Sequence, residues 1–150
     1  MLKVGDVAPK FEAIIQDGTK LKLSDYKGKK VILYFYPKDN TPGCTAESCN
    51  LRDNYHSLLE KGYIVIGVSA DSEKSHQKFI DKYNLPFPLI ADTEMEIIRA
   101  FGVWGPKKFM GREYEGILRS TFVISEDGII EEIITEVKTK AHAEQILERS

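Results

Sequence analysis

The sequence has little cysteine, no long apolar run and no marked excess of charge of either sign. Two cysteines in 150 residues exclude a disulfide-rich scaffold, and a chain of this length can bury a core without disulfides or metals. No stretch approaches the ~20 apolar residues that a membrane-spanning helix needs. Lys and Arg total 21 and Asp and Glu total 23, which gives a net charge of −2. We therefore expect binding to neither nucleic acid nor a membrane, because no basic excess is present to attract them.

The chain also lacks long linkers, repeats and a glycine-rich phosphate loop. We therefore expect a single domain over residues 1–150. The first ten residues, MLKVGDVAPK, lack the apolar core of a signal peptide, which predicts a cytoplasmic, reducing location. In such a compartment, two close cysteines are more often catalytic, redox-active or metal-binding than structural.

Two apolar runs, residues 31–36 and 63–68, predict the centre of the fold. Both are rich in β-branched and aromatic residues without polar alternation, which is typical of strands buried on both faces. Residues 44–61 lie between them and contain neither Pro nor Gly. The apolar residues at helical spacing in this segment are Leu51, Tyr55, Leu58 and Leu59. A strand, a helix and a strand of these lengths predict a parallel βαβ unit.

Turn and capping residues predict the remaining elements. The hairpin turn signals are Asp17-Gly18 and the segment 126–128. Further strands are expected at 11–15, 21–23, 87–90, 119–125 and 129–135. Further helices are expected after Asp71 or Ser72, after Thr93 and over 141–149 after Thr139. The expected architecture is an α/β fold with an N-terminal β-hairpin and a mixed central sheet flanked by helices.

Both cysteines lie in the segment 37–49, PKDNTPGCTAESC. It leaves the carboxyl end of a predicted buried strand, the edge where open α/β sheets bind ligands. Pro42-Gly43 ends the loop, so Cys44 falls in the first turn of a helix. Free N–H groups and the helix dipole stabilise a thiolate there, and the thiolate is the nucleophilic form.

The surroundings of Cys44 are also indicated by spacing. Cys44 precedes Leu51 by seven residues, so it lies close to the apolar face of the helix, and we expect a recessed thiol. Thr41 offers a hydroxyl nearby, and Pro37 has no N–H and can shield the thiolate from water.

Two other interpretations of the cysteines are less favoured. A lone cysteine on an apolar helix face is often only a small hydrophobic residue, but the second cysteine and the loop position favour a functional role. A metal site on the helix face shared by Cys49, Asp53 and His56 is less favoured. No further cysteine is available, and His76 and His142 are remote in sequence.

The segment YPKDNTPGCTAESC resembles the peroxidatic signature of peroxiredoxins of the PrxQ or bacterioferritin-comigratory-protein type. Pro37, Thr41 and Cys44 match the general pattern P-x-x-x-T-x-x-C, and Cys49 matches the second cysteine of the PrxQ group. Thr45 stands where many other peroxiredoxins have Pro, as is usual in that group. Residues 5–37 and 102–124 are also similar to the family, so the resemblance covers nearly the whole chain.

The resemblance implies a thioredoxin-like fold and a thiol-dependent peroxidase without a metal or organic cofactor. Its substrates would be hydrogen peroxide and organic hydroperoxides. Cys44 would be the peroxidatic cysteine and Cys49 the resolving cysteine, and thioredoxin or a similar dithiol would reduce their disulfide. Arg119 matches the family's active-site arginine, and Glu47 matches the acid that orients it. Because the family includes monomers and dimers, a monomer or weak homodimer is expected.

The charge of Arg119 also suits this chemistry. Attack of a thiolate on a peroxide expels an alkoxide or hydroxide, so the reaction needs a fixed cation and hydrogen-bond donors. Arginine keeps its charge at any relevant pH and offers several donors in a fixed fork.

Two alternatives from other classes are a thioredoxin-fold copper chaperone and a non-enzymatic redox sensor or holdase. The first is disfavoured because the cysteines are spaced C-x-x-x-x-C and no histidine lies in a predicted strand-end loop. Outside the motif, Trp104, Phe109 and Tyr114 are expected to pack near the pocket mouth or at a dimer surface.

Helix geometry raises a conflict between the two cysteines. If residues 44–49 are helical, the two Cα atoms lie about 8–9 Å apart and the side chains point about 140° away from each other. A disulfide needs Cα atoms closer than ~7 Å and converging Cβ vectors. We therefore expect the start of this helix to unwind before a disulfide forms.

Overall fold

The computed structural model describes residues 2–148. The strands, in chain order, are β1 (Glu12–Ile14), β2 (Lys20–Lys22), β3 (Lys30–Phe35), β4 (Tyr63–Ser69), β5 (Leu89–Ala91), β6 (Trp104–Phe109), β7 (Arg112–Ile117), β8 (Ser120–Ile124) and β9 (Ile130–Ile134). The α-helices are α1 (Pro42–Asp53), α2 (Tyr55–Glu60), α3 (Glu73–Tyr83), α4 (Glu96–Ala100) and α5 (His142–Leu147). A short 3-10 helix covers Leu23–Tyr26. No helix within this described part of the chain is both long and apolar enough to span a membrane.

A mixed sheet with the strand order β5-β4-β3-β8-β9 forms the centre of the fold. β3 pairs with β4 in parallel and with β8 in antiparallel fashion, and the segment from β3 to β4 contains α1 and α2. The βαβ unit and the mixed sheet expected from the sequence are confirmed. The N-terminal hairpin is also confirmed, since β1 and β2 pair in antiparallel register.

The central strand β3 is buried on both faces because each face packs against a separate core. Val31, Leu33 and Phe35 pack with residues of α4 and the N-terminal hairpin. Ile32 and Tyr34 pack on the other face with residues of α1, α2, α3 and α5. Alternating side chains therefore enter two cores, which explains why this strand shows no polar alternation.

The predicted helix over 44–61 is two helices in the structure. α1 ends at Asp53 and α2 begins at Tyr55, with Asn54 between them at φ −107° and ψ 10°. The Asn54 side chain donates to the Asn50 carbonyl at 2.9 Å. Asparagine side chains that bond to nearby backbone in this way compete with the helical pattern, which accounts for the break.

The expected caps at Thr93 and Thr139 are wrong, whereas Ser72 caps α3 as expected by accepting from the Ser75 N–H. α4 begins only at Glu96, and the Asp92 carboxylate accepts from an N–H of this helix.

α5 begins at His142, later than a Thr139 cap requires. The Asn50 side chain accepts from the Ala143 N–H at 2.7 Å. Its capping group therefore comes from α1, 93 residues away in the sequence. The predicted end of this helix at Arg149 lies outside the described residues.

The hairpin of β6 and β7 was not predicted. Its turn residues Met110 and Gly111 both have positive φ, 51° and 78°, as in the type I′ turns that suit hairpins. Trp104, Phe109 and Tyr114 lie on this hairpin and are 38%, 63% and 48% exposed. Their expected places near the pocket mouth or at a dimer surface therefore stay predictions.

Candidate active site

Cys44 lies in the first turn of α1, directly above the central sheet. Thr41 is the N-cap residue and Pro42 the first helical residue, a position that suits proline because its fixed φ is helical. The Cys44 side chain points into the core shared with Ile32 and Tyr34, and the residue is 1% exposed. The predicted position and burial of this thiol are confirmed.

Arg119 reaches Cys44 because β8 runs antiparallel to β3. Ser120, the first residue of β8, pairs with Phe35, the last residue of β3, so the residue before β8 lies beside the loop that leads to α1. The guanidinium Nη2 donates to Cys44 Sγ at 3.1 Å. Its Nη1 donates to Glu47 Oε1 at 2.5 Å. One arginine therefore contacts both the thiol and the acid that the sequence had associated with it.

Gly43 allows this close approach of Arg119. A Cβ atom at position 43 would lie 3.3 Å from Arg119 Nη2, which is tighter than most Cβ contacts. The glycine therefore leaves room for the guanidinium beside the first turn of α1.

Glu47 is a buried carboxyl group whose two oxygens differ in their hydrogen bonding. The residue is 0% exposed, and its Oε2 accepts no hydrogen bond from residues 2–148. Burial raises the pKa of Glu47 from its ordinary 4.5 to about 7, although the charge and hydrogen bond of Arg119 lower it. Burial also lowers the pKa of Arg119, but Glu47 and Cys44 raise it by more, so the guanidinium stays charged. Burial and Arg119 by themselves would therefore let Glu47 change its charge near neutral pH, while Arg119 stays charged.

Lys107 is a second cation near the thiol that the sequence did not indicate. It lies on β6, is half-buried and donates to the Ile117 carbonyl at 2.8 Å. Burial lowers the pKa of Lys107, Arg119 lowers it further and Cys44 raises it. Because the hairpin itself was not predicted, no local signal associates this lysine with Cys44.

Tyr34 supports α1 from below. Its hydroxyl and the Ser48 hydroxyl are 2.9 Å apart. Burial raises the pKa of Tyr34 well above its ordinary value of 10, so the phenol is neutral. The ring fits because its neighbour on β4 is Gly67. A Cβ atom at that position would lie 2.9 Å from Tyr34 Cζ. The buried aromatic run in β3 therefore also holds the helix that carries Cys44.

Cys49 lies five residues further along the same helix and is partly exposed. Both cysteines are free thiols. Burial raises the pKa of Cys49, the nearby Arg52 lowers it and Asp53 raises it. The premise of the predicted conflict is confirmed, because α1 is continuous from Cys44 to Cys49 in the reduced protein.

The structure places Pro37 and Thr41 in the loop between β3 and α1. Pro37 is partly exposed. The Thr41 hydroxyl donates to the Lys38 carbonyl at 3.0 Å, which leaves its oxygen lone pairs available to another donor. These two residues therefore lie at the start of α1, while Arg119 donates to Cys44 and to Glu47.

Asp39 anchors this loop in the interior. Its carboxylate accepts from the Tyr36 hydroxyl at 2.6 Å and the Ser75 hydroxyl at 2.8 Å, and it lies 2.7 Å from His76 Nδ1. His76 Nε2 donates to the Ile90 carbonyl at 2.8 Å. His76 and Asp39 are a buried pair, 0% and 4% exposed in their side chains. The loop is thus fixed to α3 and β5 by groups that the motif alone does not reveal.

One cluster of potential metal ligands lies close to the loop that precedes α1. Within residues 2–148, the group of His, Cys, Asp and Glu whose ligand atoms lie close together is Asp39, Asp71 and His76. Both nitrogens of His76 are already engaged with protein groups, and Asp71 accepts from the Asp39 N–H at 2.8 Å. The cluster is therefore a complete hydrogen-bond network. The trio weighed from the sequence is not assembled, because the His56 ring instead lies 2.8 Å from Glu60.

Sequence comparison associates the whole chain with one family. A family model described as the AhpC/TSA family matches residues 4–133. The chain is 48% identical over 147 residues to peroxiredoxin Bcp of Bacillus subtilis (strain 168), which covers 98% of this chain and 94% of that protein. It is 44% identical over 146 residues to peroxiredoxin Bcp of Escherichia coli (strain K12), with coverages of 97% and 94%.

Solved structures show the same similarity. A PrxQ mutant from Xylella fastidiosa superimposes with a TM-score of 0.93 at 35% identity, covering 99% of this chain and 95% of that one. Bacterioferritin comigratory protein from Xanthomonas campestris, whose structure was described for its alkyl peroxide reduction activity, gives a TM-score of 0.86 at 35% identity. That comparison covers 93% of this chain and 88% of the other.

The buried pair of Asp39 and His76 predicts a large loss of stability when one partner is removed. Asp39→Ala leaves the Tyr36 hydroxyl and the His76 ring without their buried acceptor. We therefore expect the free energy of unfolding to fall by about 3–5 kcal/mol. Asp53→Ala is the matched control, since this aspartate is exposed and pairs with Arg52; it should cost less than about 1 kcal/mol. Urea denaturation of both variants measures the difference. Equal stabilities of the two variants would show that the pair does not anchor the loop.

Proposed function

This chain belongs to the AhpC/TSA family and is a thiol-dependent peroxidase of the Bcp or PrxQ type, and we propose that Cys44 is its peroxide-reacting nucleophile. The observation that carries the proposal is the fork of Arg119, which donates to Cys44 Sγ and to Glu47 together. A helix start and a fixed guanidinium both favour the thiolate form of Cys44. The thioredoxin-like fold brings these groups to the carboxyl end of β3.

The first step is attack of the Cys44 thiolate on the terminal oxygen of hydrogen peroxide or a small organic hydroperoxide. A sulfur–oxygen bond forms and the oxygen–oxygen bond breaks, which gives a sulfenic acid and an alkoxide or hydroxide. The leaving oxygen takes up a proton to give alcohol or water. Arg119 stabilises the negative charge that moves from sulfur to oxygen, since its fork is already in place before the reaction.

The second step joins the two cysteines. The Cys49 sulfur attacks the sulfenic sulfur, a disulfide forms and water leaves. A dithiol of the thioredoxin type then reduces the disulfide by exchange, most simply in a reducing cytoplasm. A monomer or weak homodimer is proposed as the working form, as the resemblance to the family implies.

The rival functions receive no support from the contacts of the histidines. His76 and His142 are buried and hydrogen-bonded within the protein, and His56 pairs with Glu60. A copper chaperone needs an available histidine near its cysteines, and the comparisons favour peroxidases. A redox sensor or holdase would not consume peroxide catalytically, so turnover measured with thioredoxin would exclude it.

Exchange of each cysteine tests the two roles. Cys44→Ser should abolish peroxide reduction with any reductant, because it removes the nucleophile. Cys49→Ser should still consume one equivalent of peroxide but turn over poorly with thioredoxin, because the sulfenic acid has no resolving partner. A coupled thioredoxin assay and a single-turnover peroxide assay measure these outcomes. Retention of most of the turnover by Cys44→Ser would reject the assignment.

Removal of the Arg119 fork should slow the first step. Loss of one fixed donor of this kind costs ~10²–10³ in rate, so Arg119→Ala should slow sulfenic-acid formation by at least that factor. Arg112→Ala is the control, because that arginine lies on the exposed hairpin and should leave the rate unchanged. Stopped-flow measurement with hydrogen peroxide gives both rates. A rate for Arg119→Ala within a few-fold of the parent would contradict its role.

The continuous α1 predicts local unwinding during the cycle. In the disulfide form, residues 44–52 should lose helical hydrogen bonds, because the helix holds the two thiols too far apart to bond. Hydrogen exchange by mass spectrometry on reduced and oxidised protein measures this, with α3 as an internal control that should keep its protection. Equal protection of residues 44–52 in the two forms would refute the prediction.

A further inference from the structure

His142 is a buried titratable residue beside Glu47 that the chemistry above does not use. It is the first residue of α5 and is 0% exposed. Its Nε2 lies 3.7 Å from Glu47 Oε2 and 2.7 Å from the Thr121 hydroxyl. Glu47 Oε2 is the same oxygen that accepts no hydrogen bond within residues 2–148. The carboxyl group therefore has Arg119 on one oxygen and an imidazole near the other.

Gln145 fixes which nitrogen of this imidazole can gain a proton. The Gln145 amide nitrogen donates to the Glu136 carbonyl at 3.0 Å, and its oxygen accepts from the Lys138 N–H at 2.9 Å. The orientation of the amide is therefore determined by two backbone groups. The same oxygen lies 2.9 Å from His142 Nδ1, so Nδ1 is a donor and carries hydrogen. A proton taken up by the ring must bind Nε2, the nitrogen that faces Thr121 and Glu47.

The position of one proton then decides how strongly Arg119 is held. When the proton is on Glu47, the carboxyl group is neutral and no longer attracts the guanidinium of Arg119. When the proton is on His142 Nε2, Glu47 stays ionised. The imidazolium then places a positive charge near the carboxylate oxygen that accepts no hydrogen bond. A buried carboxylate oxygen without a donor is unfavourable, so a cation at this distance favours the ionised form.

Within residues 2–148, the other charged and titratable groups near Glu47 are Cys44, Lys107 and Tyr34. Cys44 lies on the far side of Arg119, and Lys107 on β6 acts on Arg119 and Cys44. Tyr34 on β3 stays a neutral phenol because burial raises its pKa. Thr121, on β8, offers a hydroxyl that can either donate to Nε2 or accept from it.

We propose that His142 is a positioning residue of the peroxidase: its imidazole takes up the proton that the buried Glu47 carboxyl would otherwise carry, so Glu47 stays ionised and holds Arg119 against Cys44. This deepens the proposed function and rests on the roles given there to Cys44 and Arg119. The proton comes from solvent and no redox step is involved. His142 itself touches neither the thiol nor the peroxide.

The pH profile of sulfenic-acid formation tests this role. His142→Phe keeps a ring in the core but cannot hold a proton, so protonation of Glu47 should then weaken the Arg119 fork at acidic pH. Burial and Arg119 alone bring the pKa of Glu47 to about 7, and the variant has no imidazole to take the proton instead. Its rate relative to the parent should therefore fall by up to about 30-fold from pH 8.5 to pH 5.5, following the ionised fraction of the carboxyl. His56→Gln, which changes a histidine with a side chain 86% exposed, should follow the parent at every pH.

A ratio of variant to parent rate that stays constant with pH would overturn the proposal, because a packing defect alone lowers the rate equally at all pH values. The rates are taken by stopped flow in a Cys49→Ser background, so that only the first step is observed. If the parent itself forms no sulfenic acid, the proposed function fails, and the next measurement still tests His142.

Nuclear magnetic resonance of the reduced protein tests the same proton without activity or a His142 variant. The ring of His142 should titrate at higher pH in the parent than in Glu47→Gln, because the variant lacks the neighbouring carboxylate. The ring of His56, which is exposed and pairs with Glu60 away from the site, serves as the reference signal in both proteins. An unchanged His142 titration in Glu47→Gln would reject the proposal even if His142→Phe fails to fold.

Discussion

The fork of Arg119 between Cys44 and Glu47 is the interaction on which the rest of the site depends. It needs the antiparallel register of β3 and β8 to bring the residue before β8 beside the start of α1. It also needs Gly43, whose missing side chain leaves room for the guanidinium. The fold therefore delivers a fixed positive charge to a thiol that is 1% exposed, in a position where the helix start already favours a thiolate.

The helix that builds this site also keeps the two cysteines apart. Glu47 and Ser48 lie between Cys44 and Cys49, and both are completely buried. Asn50, one residue beyond Cys49, links α1 to the start of α5 through its side chain. Unwinding of α1 must therefore break the contacts that hold Arg119 and loosen α5. In the proposed cycle, the reduced form suits peroxide attack, and the protein has to give up that arrangement to close the Cys44–Cys49 disulfide.

The sequence predicted the features that depend on residues close together in the chain. Pro42-Gly43 sets the start of α1 and so the place of Cys44, and the uninterrupted apolar run reveals β3. The roles of Arg119 and Glu47 came from the family resemblance, because an arginine before a strand has no local signal of function. His142 could not be placed, since its contact with Glu47 joins segments 95 residues apart. The hairpin over residues 104–117 was missed for a different reason, because its turn is Met110-Gly111 and lacks the usual Asn-Gly signal.

A double-mutant cycle on Arg119→Ala and Glu47→Gln, read as the rate of sulfenic-acid formation, tests the fork most directly. If Glu47 acts only by holding Arg119 against Cys44, its exchange should slow the parent but add nothing once Arg119 is gone. We therefore expect the double variant to react at the rate of Arg119→Ala alone. If the fold-losses in rate of the two single variants multiply in the double variant, the residues act independently. That result would contradict the fork as the organising interaction of this site.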